Sequence, residues 1–279
     1  MRINTNIASL NAQESNSNTN IALNESLEKL SSGLRINKAA DDASGLAIAD
    51  KLRTQATSVR QGIDNGNSAV ALLQIADKSM AEQSNILDTV KAKLIQANTA
   101  TTSSAGRASI ALDISKLLTQ LDNISKSTNY NGTQLISDAA GTGAAPALNF
   151  QIGEDATANM IQTTAINSNT TALSLNAYTS VTTLTAASAA TAQGTVDSAI
   201  TTLNTYRGAI GSIQNQIESA VRNLMTQETN IKAAESIIRD VDYAEESANF
   251  NKSNIISQAG AFALSQANQV QQNVLRLLQ

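Results

Sequence analysis

Histidine, cysteine and tryptophan are absent from this chain of 279 residues, and proline occurs once. Without cysteine there is no disulfide and no thiol chemistry. Without histidine the commonest general base and the commonest metal ligand are missing, which excludes a Ser-His-Asp triad, a His-bearing zinc site and an HExxH protease. Aromatic residues make up 3% of the chain and charged residues 15%. Few aromatics argue against a thick globular core, which Phe, Tyr and Trp usually dominate. The net charge of −4 is spread along the chain. No basic run could neutralise a row of phosphates, so nucleic acid is not an expected partner. No apolar run reaches the ~20 residues that span a bilayer. The segment MRINTNIASLNAQESNSN has no apolar stretch of the kind a secretory signal peptide needs.

Ala, Ser, Thr, Asn, Gln and Leu fill the gap, a mixture suited to long helices with narrow seams. Ile3, Ile7 and Leu10, then Leu23, Leu27, Leu30 and Leu34, step by three and four, which is helical. The polar stretch NAQESNSNTN interrupts that seam. SSGLRINKAADDASG (31–45) reads as a stop and restart. Gly33 suits a left-handed C-cap, and Asp41, Asp42 and Ser44 are capping types for the next helix. Val59, Ile63, Val70, Leu73, Met80 and Leu87 form one stripe. Leu72, Ala76, Ile86, Val90 and Leu94 form a neighbouring one. A helix over about 58–98 would be roughly 60 Å long at ~1.5 Å per residue. After a break at NTATTSSAG (98–106), Ile110, Ile114, Leu117, Leu121 and Ile124 predict a second helix running back antiparallel.

The middle changes character. Asn131-Gly132 is a turn dipeptide, and Pro146 with glycines at 132, 141, 143 and 153 denies a long helix. ALNFQIG reads as a short strand, and 161–193 as short strands and loops. Leu203, Tyr206, Ile210, Ile213, Ile217, Ala220, Leu224, Gln227, Ile231, Ala234 and Ile238 then alternate three and four, a heptad seam with one polar member. RDVDYAEES (239–247) interrupts it with charge. A last helix over about 248–277 carries Phe250, Ile255, Ile256, Phe262, Leu264 and the apolar end Val270, Val274, Leu275, Leu277 and Leu278. The expected fold is mostly α: a long antiparallel bundle with paired terminal helices and a small β-hairpin region in the middle. Two helices cannot bury so wide an apolar face, and each buried Leu or Val contributes roughly 1.5–3 kcal/mol. The terminal helices are therefore expected to bury these faces against other copies of the chain and to be largely unfolded alone.

Several motifs resemble those of bacterial flagellins. LSSGLRIN, DDASGLAIA, TNYNG, QAG and QANQVQQNVL stand in the family's order, and the likeness covers nearly all of 1–138 and 193–279. The resemblance implies a structural, non-enzymatic filament subunit without cofactors that acts as the propeller for motility. It implies that about 1–42 and 240–279 form an inner tube including the spoke 31–42, and about 43–239 an outer tube with a β-rich part over about 130–192. Inner-tube assembly would fall to Ile3, Ile7, Leu10, Leu27, Leu30, Leu34, Ile256, Phe262, Val270, Val274, Leu275, Leu277 and Leu278. The outer-tube seam would comprise Leu73, Leu87, Leu94, Ile114, Leu121, Ile210, Ile213, Ile217, Leu224 and Ile231. The implied partners are copies of the chain in a helical filament, a secretion chaperone, a cap protein and hook–filament junction proteins. The implied location is the extracellular filament, reached by the flagellar type III export route without a cleaved signal peptide. The chain has room only for the hairpin-like part of the outer-tube domain, so the filament should be thin and smooth.

Some enteric flagellins carry an Arg and, two positions on, Arg-Glu, where an animal innate receptor binds. Thr89, Lys91 and Ala92 stand at those places in LDTVKAKLIQ, which looks more like flagellins of the Campylobacter and Helicobacter lineage. Lys cannot replace the bidentate fork of Arg, so receptor activation should be weak or absent, and full potency in a cell reporter assay would overturn this.

Blander readings compete. The heptad seam by itself is ordinary intramolecular packing. The apolar end could lie on a membrane, but its polar face carries Gln and Asn with only Arg276, where Lys and Arg are favoured. Asp41-Asp42 and Glu245-Glu246 read as capping and solvated charges rather than an acid/base pair or a divalent-ion site. The triplets at Asn131, Asn169 and Asn251 match the N-glycosylation pattern by chance. The Ser/Thr-rich stretch 163–202 is the expected place for O-linked sugars. A hook–filament junction protein is the rival reading within the structural class. A chemotaxis-receptor coiled coil would need a helical middle, where Pro146 and the glycines stand.

Overall fold

A computed structural model describes residues 5–138, 140–155 and 159–277. It has helices α1 (Ile7–Ser32), α2 (Ala43–Asn98), α3 (Ser104–Ser127), α4 (Ala186–Arg239) and α5 (Tyr243–Leu277). Four short strands lie between α3 and α4: β1 (Asn129–Tyr130), β2 (Thr133–Gln134), β3 (Asn149–Gln151) and β4 (Met160–Gln162). A 3-10 turn follows at Asn176–Tyr178. The chain divides into two compact units, one of Met1–Ala56 with Thr229–Gln279, the other of Thr57–Glu228.

In the 57–228 unit, α2 packs against both α3 and α4. Its antiparallel register with α3 is marked by Gln83, which donates to Leu121 O at 3.2 Å, and by Arg107, whose Nε donates to Ala97 O at 2.9 Å. That with α4 is marked by the ion pairs Arg207–Asp77 at 2.9 Å and Arg60–Glu228 at 3.4 Å. Leu73, Met80, Leu87 and Leu94 of α2, Leu118 and Leu121 of α3, and Leu203, Ile210 and Ile217 of α4 are among the largest fully buried side chains. The period anticipated Leu117 in this stripe. Leu118 is the residue fully buried, and Leu117 is half-buried.

Both long helices begin earlier than their apolar stripes, and they end where the periodicity implied. α2 begins at Ala43, at the restart expected within 31–45, and runs on without a break into the helix expected from about 58. The Asp42 carboxylate accepts from Ser44 N (3.0 Å) and Gly45 N (2.9 Å), a side-chain N-cap. Gly62 and Gly66 do not break α2, because they sit where the helix is approached closely. A Cβ on Gly62 would fall 1.9 Å from Ile152 O, and one on Gly66 would fall 2.5 Å from the Val221 side chain. α4 likewise starts at Ala186, inside the stretch expected to be loop. Thr185 N donates to Ser188 Oγ (2.9 Å) and Ser188 N to Thr185 Oγ1 (3.2 Å), a reciprocal cap that opens an Ala-rich helix.

The middle is built of hairpins. β1 and β2 pair antiparallel, Asn129↔Gln134 and Tyr130↔Thr133. Asn131 (φ 50°) and Gly132 (φ 81°) form the two-residue turn, with the double positive φ of type I′. β3 and β4 pair with Phe150 opposite Ile161, and Asn65 of α2 donates to Gln151 O at 3.0 Å. The segment 163–175 returns to α3. Asp122 accepts from both Thr170 N (2.8 Å) and Thr170 Oγ1 (2.7 Å), and buried Gln83 also donates to Ser168 O at 3.1 Å.

Candidate assembly surface

The other unit pairs α1 with α5, and its contacts invert the usual order of polar and apolar. Asn6 caps α1 by accepting from Ser9 N (3.2 Å), and its Nδ2 donates across to Ala267 O (3.1 Å). Ser9 Oγ donates to Asn268 Oδ1 (2.8 Å), and Ser257 Oγ to Asn20 Oδ1 (2.9 Å). A Cβ on Gly260 would sit 3.3 Å from Asn16 Oδ1. The descending partner numbers make the pair antiparallel. The polar stretch NAQESNSNTN is thus part of the helix–helix contact: small residues let the backbones approach and amide–hydroxyl bonds fix the register.

Many of the large apolar side chains are exposed rather than turned into that contact, while Leu23, Phe250 and Leu264 are half-buried. Ile7, Leu10, Ile21 and Leu27 of α1 are 57%, 53%, 54% and 47% exposed. On α5, Ile255, Ile256, Phe262 and Val270 are 67%, 44%, 74% and 54% exposed. Leu30 and Leu34 are half-buried, and the one buried residue of α1 is Ser26. Ile3 and Leu278 lie outside the described residues, as do the side chains of Val274, Leu275 and Leu277.

One end of the pair is clasped. Gly33, at φ 74°, ends α1 and donates to Lys29 O at 2.9 Å. Arg35 N donates to Arg239 O (2.7 Å), Val241 N to Gly33 O (3.0 Å) and Arg35 Nη2 to Ile238 O (2.7 Å). Asp41 Oδ2 accepts from Asn37 N and Lys38 N, both at 2.9 Å, and these N–H groups, Lys38 first, hold its carboxyl below the usual carboxylate range. Lys38 pairs with Glu28, whose hydrogen bond and charge push its ammonium above the ordinary lysine range. Asp42 and Asp242 are both helix caps, the latter accepting from Ala244 N at 2.9 Å. Among the described residues no cluster of carboxylates is arranged to hold a metal ion, and no helix is long and apolar enough to cross a membrane.

In the 57–228 unit, Leu73, Leu87, Leu94, Ile114, Leu121, Ile210 and Ile217 are buried and Ile213 and Leu224 half-buried. Ile231, in the other unit, is also buried. Thr89 and Ala92 are exposed on α2, where Thr89 Oγ1 donates to Asn85 O at 3.0 Å and Lys91 pairs with Asp197 of α4. Sequence reasoning missed Gln83 and the buried Ser168, Asn169 and Thr170, which carry no hydropathy signal.

The family model for the bacterial flagellin N-terminal helical region matches residues 3–141, and that for the C-terminal helical region matches 193–278. A flagellin of Bacillus subtilis is 39% identical over 303 aligned positions, which take in all of both chains. The chain belongs to the bacterial flagellin family. A flagellar filament 33 kDa core protein of Treponema phagedenis is 35% identical, again over all of both chains. Flagellin A of Helicobacter pylori is 29% identical over 506 positions covering 99% of each chain, so it carries a long stretch without counterpart here. Among solved structures, Bacillus cereus flagellin matches 62% of this chain and 94% of its own at 26% identity and a TM-score of 0.50. A protein assigned as a flagellar hook-associated protein of Vibrio parahaemolyticus matches 71% and 99% at a TM-score of 0.59, and with 9% identity it shares the fold alone. Flagellins are structural proteins.

Proposed function

We propose that the chain is the self-assembling subunit of a flagellar filament, with its terminal helix pair as the inner surface that copies bury against one another. The observation that carries this is the inverted pairing of α1 and α5: Asn, Ser and Gly at the contact, Ile7, Leu10, Ile256, Phe262 and Val270 outward. A monomer leaves these side chains in water. A tube of copies removes them from water, and each contributes roughly 1.5–3 kcal/mol when fully buried. The chemistry is mechanical rather than catalytic, and it calls for no cofactor.

The finer points rest on the family. Residues of about 1–42 and 240–279 form the inner tube with its spoke, and about 43–239 the outer tube, whose seam runs through Leu73, Leu87, Leu94, Ile210 and Ile217. The chain reaches the extracellular filament unfolded through the flagellar export route. A chaperone, a cap protein and junction proteins attend it. Its short middle makes the filament thin and smooth. Receptor activation on animal cells is weak, because Lys91 stands in place of an Arg and is engaged by Asp197. Sugars, where present, attach to exposed hydroxyls such as Thr164, Ser180, Thr182 and Thr183, since Thr163, Ser168 and Thr170 are buried. The junction-protein reading gains nothing from a likeness at 9% identity.

The test is negative-stain electron microscopy of the purified, concentrated protein seeded with sheared filament fragments. Long, thin, smooth tubes are expected. Monomers or short rods alone would overturn the reading.

A further inference from the structure

The chain contains two Asn-Gly dipeptides, Asn65-Gly66 and Asn131-Gly132, and the fold treats them oppositely. In an Asn-Gly pair the absent Cβ leaves the glycine amide nitrogen open to reach the asparagine side chain. Asn65 lies inside α2, where Gly66 N–H is taken up by the helix. Asn65 Nδ2 donates to Gln151 O (3.0 Å) and its Oδ1 accepts from Gln61 Nε2 (3.0 Å), so the side-chain amide is held at both ends. Gly66 is packed so tightly against Val221 that even a Cβ would not fit. Asn131 has none of this protection. It is exposed at the tip of the β1–β2 hairpin at φ 50°, and its side chain makes no hydrogen bond among the described residues. The strand ladder joins Tyr130 to Thr133 and so passes over the Gly132 amide. Nothing lies within 4 Å of where a Gly132 Cβ would be.

We infer that Asn131 is a site of spontaneous covalent change, deamidation through a succinimide, from which the fold shields Asn65. The Gly132 amide nitrogen, giving its proton to a solvent base, attacks Asn131 Cγ. A C–N bond forms, the Cγ–Nδ2 bond breaks, and ammonia leaves with a proton from solvent. Water then opens the ring at one carbonyl or the other, giving aspartate or isoaspartate. One water is consumed and one ammonia released, with no redox change. The isoaspartyl product threads an extra methylene through the backbone of a two-residue turn. Asn129↔Gln134 and Tyr130↔Thr133 then cannot both keep their register. Tyr130 shares a groove with Leu72, Asn149 and Phe150, so the change reaches the packing of both hairpins on α2.

The full-length protein is incubated at mildly alkaline pH, and its peptides are mapped by mass spectrometry with enzymatic labelling of isoaspartate. The expected result is aspartate and isoaspartate at position 131, with the folded protein reacting at Asn65 slower by roughly a hundredfold or more, because that site must first open locally. In denaturant the two sites should react at similar rates. Equal rates in the folded protein would overturn the inference, as would an intact Asn131 in folded protein whose unfolded form reacts.

Discussion

Gly62 and Gly208 are both helical glycines, and a methyl group added to each has opposite consequences. Replacing an exposed helical glycine by alanine ordinarily stabilises by about 0.5–1 kcal/mol, because glycine loses more backbone freedom on folding. Gly208, in α4, has nothing within 4 Å of its Cβ position, so Gly208→Ala should show that gain as a small rise in melting temperature. At Gly62 the Cβ would lie 1.9 Å from Ile152 O and 2.8 Å from its carbonyl carbon, both backbone atoms. Either α2 or the segment after β3 must move. Gly62→Ala is therefore expected to lower stability by about 1–3 kcal/mol despite the better helix propensity. A thermal melt in which both variants shift the same way would refute this account of the two positions.

At the scale of elements, the helices were legible wherever one face is apolar and the hairpin wherever turn chemistry is explicit. Asn131-Gly132 announced the turn between β1 and β2, though not the strands themselves, because few residues other than Asn and Gly adopt two positive φ values. The start at Ala43 was legible in its Asp42 cap, although the apolar stripe begins only near 58, whereas the start at Ala186 depends on the Thr185/Ser188 pair, which periodicity does not weigh. The burial of Ser168, Asn169 and Thr170 was not legible because hydrogen bonds from Gln83 and to Asp122, not hydropathy, fasten that segment. The seam between α2 and α3 carries a titratable marker. Asp113 accepts from Lys93 Nζ at 2.9 Å, and that hydrogen bond and the ammonium charge hold its carboxyl below the usual range. A depressed carboxylate adds stability above the ordinary carboxylate range, and this is lost as pH falls through its own lower value. The pair is solvent-exposed, so its contribution is small. Lys93→Met should move the Asp113 titration, followed by carboxyl-carbon NMR, back toward the ordinary range. An unmoved midpoint would show that the two side chains do not meet in solution.

At the scale of the whole chain, the sequence says that two helices cannot bury the apolar faces of the terminal segments, and the structure shows what the pair buries instead. Ile7, Leu10, Ile256 and Phe262 are exposed, and the contact between α1 and α5 is made by smaller, polar residues. Asn6, Ser9, Asn16 and Asn20 pair there with Ala267, Asn268, Gly260 and Ser257. An apolar face that the intramolecular partner leaves uncovered is free to be covered by a copy. Phe262, 74% exposed, is the sharpest probe of this arrangement. Phe262 is an exposed side chain, and a surface substitution such as Phe262→Asp ordinarily changes stability by no more than about 0.5 kcal/mol. The variant monomer should keep its circular dichroism and melting temperature. In the seeded assay, however, each subunit entering the tube would have to desolvate a carboxylate without a partner, a cost of several kcal/mol. Elongation should then fail at concentrations where the parent chain grows long filaments. Filaments of normal length from Phe262→Asp would mean that this side chain faces solvent in the polymer as well, and the inner surface would have to be sought on another face of α5.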